Sequence, residues 1–159
     1  VAVYDNGSKL TGTLTYTNNK KDWRFTPSTA LTQGLHAFTA GVIRFDGLEG
    51  TQSSPARQVI VLTARPSVSS ATPNVLDTVN FNVSNLFSGI STVTWDFGDG
   101  RGEQTSGVTN RATSISTRYN TQGSKTVTVT YKNSSDAVLA TDIFFKSCTA
   151  KWQNLYDSK

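Results

Sequence analysis

Few residues of this sequence could do chemistry, and they are scattered. The 159 residues include one histidine, His36, and one cysteine, Cys148. Catalysis needs a second titrating group beside each of them, and no local motif supplies one. His36 lies in an alternating stretch that predicts a strand, where we expect a structural role. A lone cysteine excludes both an internal disulfide and a cysteine-based metal cluster. We therefore predict that the chain is not an enzyme and has no catalytic residue.

Loop carboxylates are the remaining candidates for a metal site. Asp5, Asp46, Asp96 and Asp99 fall in turns, and calcium prefers such oxygen ligands. No spacing matches a dense acidic loop of the D-x-D-x-D-G kind, and the net charge is +4. Turn and hydrogen-bond duty is therefore expected for Asp96 and Asp99. We predict no cofactor, with calcium at these four residues as the alternative.

The stretch before Asp99 must position the second half of the chain. Val93, Trp95 and Phe97 alternate with polar residues, which predicts a strand with one apolar face. Asp99-Gly100 then supplies a turn dipeptide. Trp95, buried between two sheets, is expected to be the residue around which the core packs.

Those residues resemble a known family. Trp95-Asp96-Phe97-Gly98-Asp99-Gly100 is similar to the signature of the PKD domain, and Tyr119, Gly123 and the alternating strand at residues 126–129 are similar to its second hallmark. The resemblance covers roughly residues 66–146. It implies an immunoglobulin-like (Ig-like) β-sandwich of the kind found in extracellular and cell-surface proteins.

The first half resembles the bacterial Ig-like repeats of surface adhesins. The matching positions are turn and core types, namely Asp5-Asn6-Gly7, Trp23, Phe25-Thr26-Pro27, Leu31, Gly34, His36, Ala40, Asp46, Gly50 and Ser53. The resemblance covers residues 1–62 and implies a second sandwich whose first strand lies before Val1, so we expect an excised piece of a longer protein. Its core is expected around Trp23, Phe25 and Phe38. Some such repeats bind calcium at their junctions, which is why calcium stays an alternative.

The predicted fold is all-β, with two tandem Ig-like antiparallel β-sandwiches and a short C-terminal tail. Pro66 interrupts strand hydrogen bonding, and the alternation restarts after it. The expected domains are residues 1–64, bacterial Ig-like, and residues 65–147, PKD-like. Residues 148–159 form the tail, in which Trp152, Leu155 and Tyr156 share one face of a short helix. The abundance of Ser, Thr and Asn does not suit a parallel α/β enzyme.

Charge and hydropathy limit the partners. Lys and Arg are not concentrated with interleaved aromatics, so nucleic-acid binding is not expected. No apolar run approaches membrane-spanning length, so membrane insertion is not expected. The expected partners are a protein or glycan ligand, or neighbouring domains of a longer parent chain. Loops at sandwich ends often bind ligands, so the candidate binding loop contains Asp99, Gly100, Arg101, Glu103 and Gln104.

The function that fits is a non-catalytic Ig-like module on the outside of a cell or a virion. It would space or present a neighbouring region, or mediate adhesion to protein or glycan. The alternative is an accessory substrate-binding module of a secreted protease or glycosidase. Exposed, coplanar aromatic side chains on one face would favour that alternative.

Overall fold

A computed structural model gives the structure of the chain and describes residues 1–149. The described residues form fourteen β-strands and no helix, so the predicted all-β class is confirmed. By its internal contacts the chain divides into two compact units, Val1–Val61 and Leu62–Lys159.

The first unit contains two separate sheets. Its strands are β1 (Ala2–Asp5), β2 (Ser8–Lys9), β3 (Gly12–Thr17), β4 (Asp22–Pro27), β5 (Gly34–Ile43), β6 (Glu49–Gln52) and β7 (Arg57–Val61). Strand β5 pairs with β1, β6 and β7, and β2 pairs with β1, which makes a five-stranded antiparallel sheet. Strands β3 and β4 pair only with each other and form a hairpin.

The expected core of the first unit is not formed. Trp23 is 42% exposed, and Phe25 and Phe38 are only partly buried. The buried apolar side chains of this unit are instead those of β1, Ala2, Val3 and Tyr4. The aromatic side chains of β4 line an open groove together with residues of the five-stranded sheet, so they are not enclosed in a packed interior.

The second unit is a sandwich of two antiparallel sheets. Its strands are β8 (Ser67–Val68), β9 (Thr78–Val83), β10 (Thr92–Asp96), β11 (Gln104–Gly107), β12 (Thr113–Arg118), β13 (Gly123–Lys132) and β14 (Val138–Cys148). One sheet has the order β11-β10-β13-β14 and the other the order β12-β9-β8. Seven strands in sheets of four and three are the number and division of an Ig-like constant-type sandwich.

Alternation along the strands builds the core between these sheets. Val79, Phe81 and Val83 of β9, Val93 and Trp95 of β10, and Val127, Val129 and Tyr131 of β13 are buried at every second position, as the period of two requires. Trp95 has no exposed surface, which confirms its predicted place in the core. The ring centroid of Phe81 lies 6.0 Å from that of Trp95 and 5.1 Å from that of Phe97, so aromatic contacts join the two sheets. Trp95 Nε1 donates a hydrogen bond to Ser106 Oγ at 2.9 Å.

The segment between β8 and β9 is joined side by side with the residue that follows β14. Asn74 and Thr149 form a parallel bridge. Thr149 N–H donates to the Pro73 carbonyl oxygen at 3.0 Å, and Val75 N–H donates to the Thr149 carbonyl oxygen at 2.9 Å. Ahead of β8, Arg65 Nη1 lies 3.7 Å from Asp142 Oδ1 of β14.

The predicted start of the tail needs correction. Cys148 is the last residue of β14 and is buried, because Gly123 pairs with it and extends the ladder. It is therefore not part of a helical tail. The predicted helical face of Trp152, Leu155 and Tyr156 lies outside the described residues.

Candidate functional site

The turn after β10 is built from two aspartates that bind their own backbone. Asp96 Oδ1 accepts a hydrogen bond from Gly98 N–H at 2.9 Å, and Asp99 Oδ1 accepts one from Arg101 N–H at 3.0 Å. Each carboxylate thus closes an Asx-turn two residues ahead, a local bond for which this side chain is suited. Asp96-Phe97-Gly98 and Asp99-Gly100-Arg101 therefore form the same turn element twice in succession.

Arg101 fastens this turn to the opposite sheet. Its Nε donates to Asp99 Oδ2 at 2.8 Å, and its Nη2 donates to the Arg118 carbonyl oxygen at 2.9 Å and to the Thr117 hydroxyl. Burial alone would raise the pKa of the Asp99 carboxyl, but the hydrogen bonds and charge of Arg101 outweigh burial and lower that pKa. Asp99 and Arg101 therefore largely neutralise each other's charge within the second unit.

The candidate binding loop is only partly a loop. Gln104 begins β11 and pairs with Trp95, so it belongs to the sheet, which corrects its predicted place. Gly100 and Glu103 are exposed. Arg101 and Gln104 line one shallow polar depression of about 340 Å³ together with Thr78 and residues 116–118. The structure therefore brings two of the five predicted residues together on a polar surface.

The four calcium candidates do not come together. Asp5 Oδ2 lies 2.6 Å from His36 Nδ1. Asp46 Oδ1 accepts from Leu48 N–H at 3.1 Å, and its Oδ2 lies 3.2 Å from Arg44 Nη2. Asp96 and Asp99 hold the turn described above. Within residues 1–149, no three His, Cys, Asp or Glu side chains are grouped as a metal site would require.

His36 is buried and links two strands of the first unit with the loop before β5. Its Nδ1 faces the Asp5 carboxylate, and its Nε2 lies 2.8 Å from the Thr32 carbonyl oxygen. A carbonyl oxygen can only accept, so Nε2 carries a proton. The Asp5 hydrogen bond first, and the Thr32 hydrogen bond next, raise the pKa of the imidazole. Such an environment suits a structural imidazolium, in line with the role expected from the sequence.

The other buried titratable groups of the second unit are not activated. Cys148 is 3% exposed, and burial raises the pKa of its thiol, which disfavours the reactive thiolate. Burial also raises the pKa of the Tyr119 hydroxyl, which has no hydrogen-bond partner among the described residues. Neither group is therefore arranged as a nucleophile or a general base.

Comparison with known families decides the assignment of the second unit. The sequence model of the PKD domain matches residues 63–145, more than half of the chain. The chain belongs to the PKD domain family. The resemblance of the Trp95 motif to this family is thereby confirmed. PKD domains are generally non-catalytic and typically extracellular.

Other comparisons add little to the PKD assignment. A solved structure of Clostridium thermocellum CbhA fibronectin(III)-like modules is 14% identical, covers 99% of this chain and 80% of that chain, and has a TM-score of 0.36. A likeness at that level says nothing further about this PKD protein. No curated protein matches the sequence. Among the described residues, no helix has the length and apolar character that crossing a membrane requires.

Sequence reasoning missed two features of this PKD protein. The contacts of Arg101 with Thr117 and Arg118 join positions sixteen and seventeen residues apart, and no local sequence pattern predicts them. The groove of the first unit was missed because Trp23 and Phe25 alternate as core residues do. A hairpin strand that lines a groove shows the same period as one that lines a core.

Proposed function

We propose that the two units are tandem Ig-like β-sandwich domains that form a non-catalytic module on an extracellular, cell or virion surface. Its role is to space or present a neighbouring region. The observation that carries this proposal is the parallel joining of Asn74, in the segment between β8 and β9, with Thr149, directly after β14, within the second unit.

This joining resists tension along the chain. Because the two segments run parallel, pulling the second unit by its two ends drags them past each other along the strand direction. The bonds of Thr149 to Pro73 and Val75 then carry the load together in shear rather than opening one after another. The ion pair of Arg65 with Asp142 adds a separate link, between the segment ahead of β8 and the middle of β14. A spacer under load benefits from this geometry.

Force spectroscopy tests the spacer role. The chain is pulled through its two ends, and separately through attachment points at Gly123 and Cys148, the paired residues at the open end of the β13–β14 ladder, which peels β14 from β13. We expect a higher unfolding force for the second unit in the first geometry. Thr149→Pro removes one donor and should lower that force, whereas Thr149→Val, which keeps the backbone N–H, should lower it less. Equal forces in the two geometries would contradict the proposal.

Adhesion to a protein or a glycan is a second candidate role. It is supported by the polar depression that contains Arg101 and Gln104, because hydroxyl, amide and guanidinium groups suit polar ligands. Glycan or protein array binding, lost in Gln104→Ala but retained in the exposed control Glu103→Ala, would support it.

The accessory-module alternative has one supporting observation. Tyr16 and Trp23 are cross-strand neighbours on one face of the β3–β4 hairpin and are 47% and 42% exposed. Aromatic side chains on a shared face can stack on a sugar ring or an extended polymer. Retention of the chain on insoluble polysaccharide or collagen, lost in Tyr16→Ala, would favour this alternative. We expect no esterase, glycosidase or peptidase activity from the chain itself.

A further inference from the structure

The groove of the first unit is apolar and open. It has a volume of about 490 Å³. Strand β4 contributes Trp23, Phe25 and Pro27, and the five-stranded sheet contributes Val3 and Phe38 among others. A surface of this composition gains free energy when apolar groups of a partner cover it.

The groove runs beside a free strand edge. Among the described strands, β4 pairs with β3 on one side and with no strand on the other. An unpaired edge presents backbone donors and acceptors to any extended chain that reaches it. A two-stranded hairpin is also marginal in water by itself, so a third strand would stabilise it.

The hydrogen-bond alternation shows which backbone groups face that edge. Ser28 N–H donates to the Thr11 carbonyl oxygen at 2.9 Å, and the Arg24 carbonyl oxygen accepts from the Thr15 hydroxyl at 3.4 Å. Even-numbered residues of β4 therefore face β3. In an antiparallel ladder the alternate residues turn their N–H and C=O groups the other way. Trp23 and Phe25 thus offer their backbone groups to the free edge.

Trp23 and Phe25 therefore present two kinds of contact at once. Their side chains line the groove, while their backbone groups stand at its border. An extended peptide could pair with this edge and direct every second side chain into the groove, since strand side chains alternate between faces. A compact apolar molecule or a sugar ring would use the groove and leave the edge unpaired.

The charged side chains around the groove indicate which kind of partner it would bind. Arg57 lines the groove and is exposed. Lys20, Lys21 and Arg24 are exposed on the hairpin, where the one exposed carboxylate between them, Asp22, accepts a hydrogen bond from Asn18. No ion pair joins any of these four cations to a carboxylate within residues 1–149. Complementary charge steers partners and excludes wrong ones, so this surface favours an acidic segment.

We propose that the free edge of β4 and the adjoining groove bind an extended acidic strand of a partner protein. The strand pairs with the backbone of Trp23 and Phe25 and places alternate apolar side chains in the groove. Its acidic side chains alternate with these, point away from the groove and lie near Arg24 and the other hairpin cations. This site is on the first unit and does not depend on the spacer role of the second.

A synthetic peptide tests this site on the full chain. The probe is a capped hexapeptide in which Val alternates with Glu, and binding is followed by calorimetry and by amide NMR shifts. We expect saturable binding, with shifts concentrated at residues 22–27 and slower amide exchange at Trp23 and Phe25. Methylating the backbone nitrogens on one edge of the peptide removes about two hydrogen bonds and should weaken binding about tenfold.

Two further comparisons separate charge from apolar contact. A peptide with Lys in place of Glu should bind more weakly. Arg24→Ala should weaken binding of the Glu peptide roughly two- to fivefold, as for an exposed ion pair. Arg44→Ala is the matched control, because this arginine is also exposed but is paired with Asp46, outside the groove lining, and it should leave the affinity unchanged.

Several outcomes would overturn the proposal. They are the absence of binding, an affinity that methylation of either edge of the peptide leaves unchanged, and equal affinities of the Glu and Lys peptides. An oligosaccharide that shifts the same amides and displaces the peptide would assign the groove to glycan. Sedimentation showing a dimer whose formation the peptide blocks would assign it to a second copy of this chain.

Discussion

Gly98 lies against the backbone of Thr126, so closely that a Cβ on Gly98 would fall 2.3 Å from the Thr126 carbonyl oxygen. The φ angle of Gly98 is +64°, a left-handed conformation that side chains disfavour. Both facts require glycine at this position of the turn between β10 and β11. The glycine of the PKD signature thus has a steric reason.

We predict that Gly98→Ala destabilises the second unit. Backbone strain alone should lower the free energy of unfolding by about 1–3 kcal/mol, and the contact with the Thr126 carbonyl adds to that. Gly100→Ala is the control, because its φ is also positive, +80°, but a Cβ there meets open space. Chemical denaturation should rank Gly98→Ala clearly below Gly100→Ala. Equal losses for the two variants would count against this steric reason.

We predict that Trp95→Ala brings the second unit close to unfolding while the first stays folded. Truncating a buried Trp costs about 3–5 kcal/mol, and a small domain has about 5–15 kcal/mol in total. Cys148 is the only cysteine and is 3% exposed, so its labelling rate by a thiol reagent reports opening of the second unit. Labelling should accelerate strongly in the variant.

The NMR spectrum of the first unit gives the control for Trp95→Ala. The amide signals of β1 and β5 should keep their positions if the two units fold independently. Loss of both sets of signals together would mean that the two units share one cooperative core. Unchanged labelling of Cys148 would contradict the central place of Trp95.

We predict that the first unit loses stability as pH rises through the pKa of His36. Hydrogen bonds to Asp5 and Thr32 raise this pKa above the ordinary 6.5. A raised pKa means that the folded state holds the proton more tightly, so the stabilisation is complete below pH 6.5 and is lost as pH rises through the folded value. His36 is the only histidine, so NMR can titrate its ring directly.

Asp5→Asn is the matched variant for this titration. Removing the carboxylate should lower the pKa of His36 and flatten the pH dependence of melting in the first unit. A pKa of 6.5 or lower for His36 in the native chain would contradict the assignment of a structural imidazolium.

We predict that millimolar calcium leaves melting unchanged. A specific site would stabilise the fold by about 2.7 kcal/mol at a hundredfold excess over the dissociation constant. The carboxylates of Asp5, Asp46, Asp96 and Asp99 are instead engaged with histidine, arginine or backbone N–H groups. Melting with calcium and with chelator compares the two cases. A rise of several degrees that Asp46→Ala or Asp99→Ala abolishes would show a calcium site.

The second unit could be predicted well from the sequence because its signals are local. Alternation in β9, β10 and β13 marks the buried face, and the dipeptide Asp99-Gly100 marks the turn. The hydrogen bonds of Arg101 to β12 could not be predicted, because the intervening residues do not fix the distance between Arg101 and this strand. The strand at Gln104–Gly107 has no apolar face, so no alternation in the sequence indicates it.

The first unit was harder to predict because the periodicity of a strand does not show whether its apolar face is covered by another part of the protein. Leu14, Trp23 and Phe25 have the period of a core strand, yet Trp23 is 42% exposed. Whether an apolar face is covered depends on how the hairpin and the five-stranded sheet pack together. This packing belongs to the tertiary structure, and the spacing of residues within the hairpin does not predict it.

The free edge of β4 also affects how the purified protein behaves at high concentration. An open strand edge beside aromatic side chains is a template for uncontrolled aggregation. Lys20, Lys21 and Arg24 place like charges along this hairpin, so two copies repel each other when their edges meet. Repulsion between exposed charges is screened within about 8 Å at physiological ionic strength and within about 3 Å at 1 M salt. Solubility should therefore fall as salt is added, and the hairpin cations act as gatekeepers for the exposed edge.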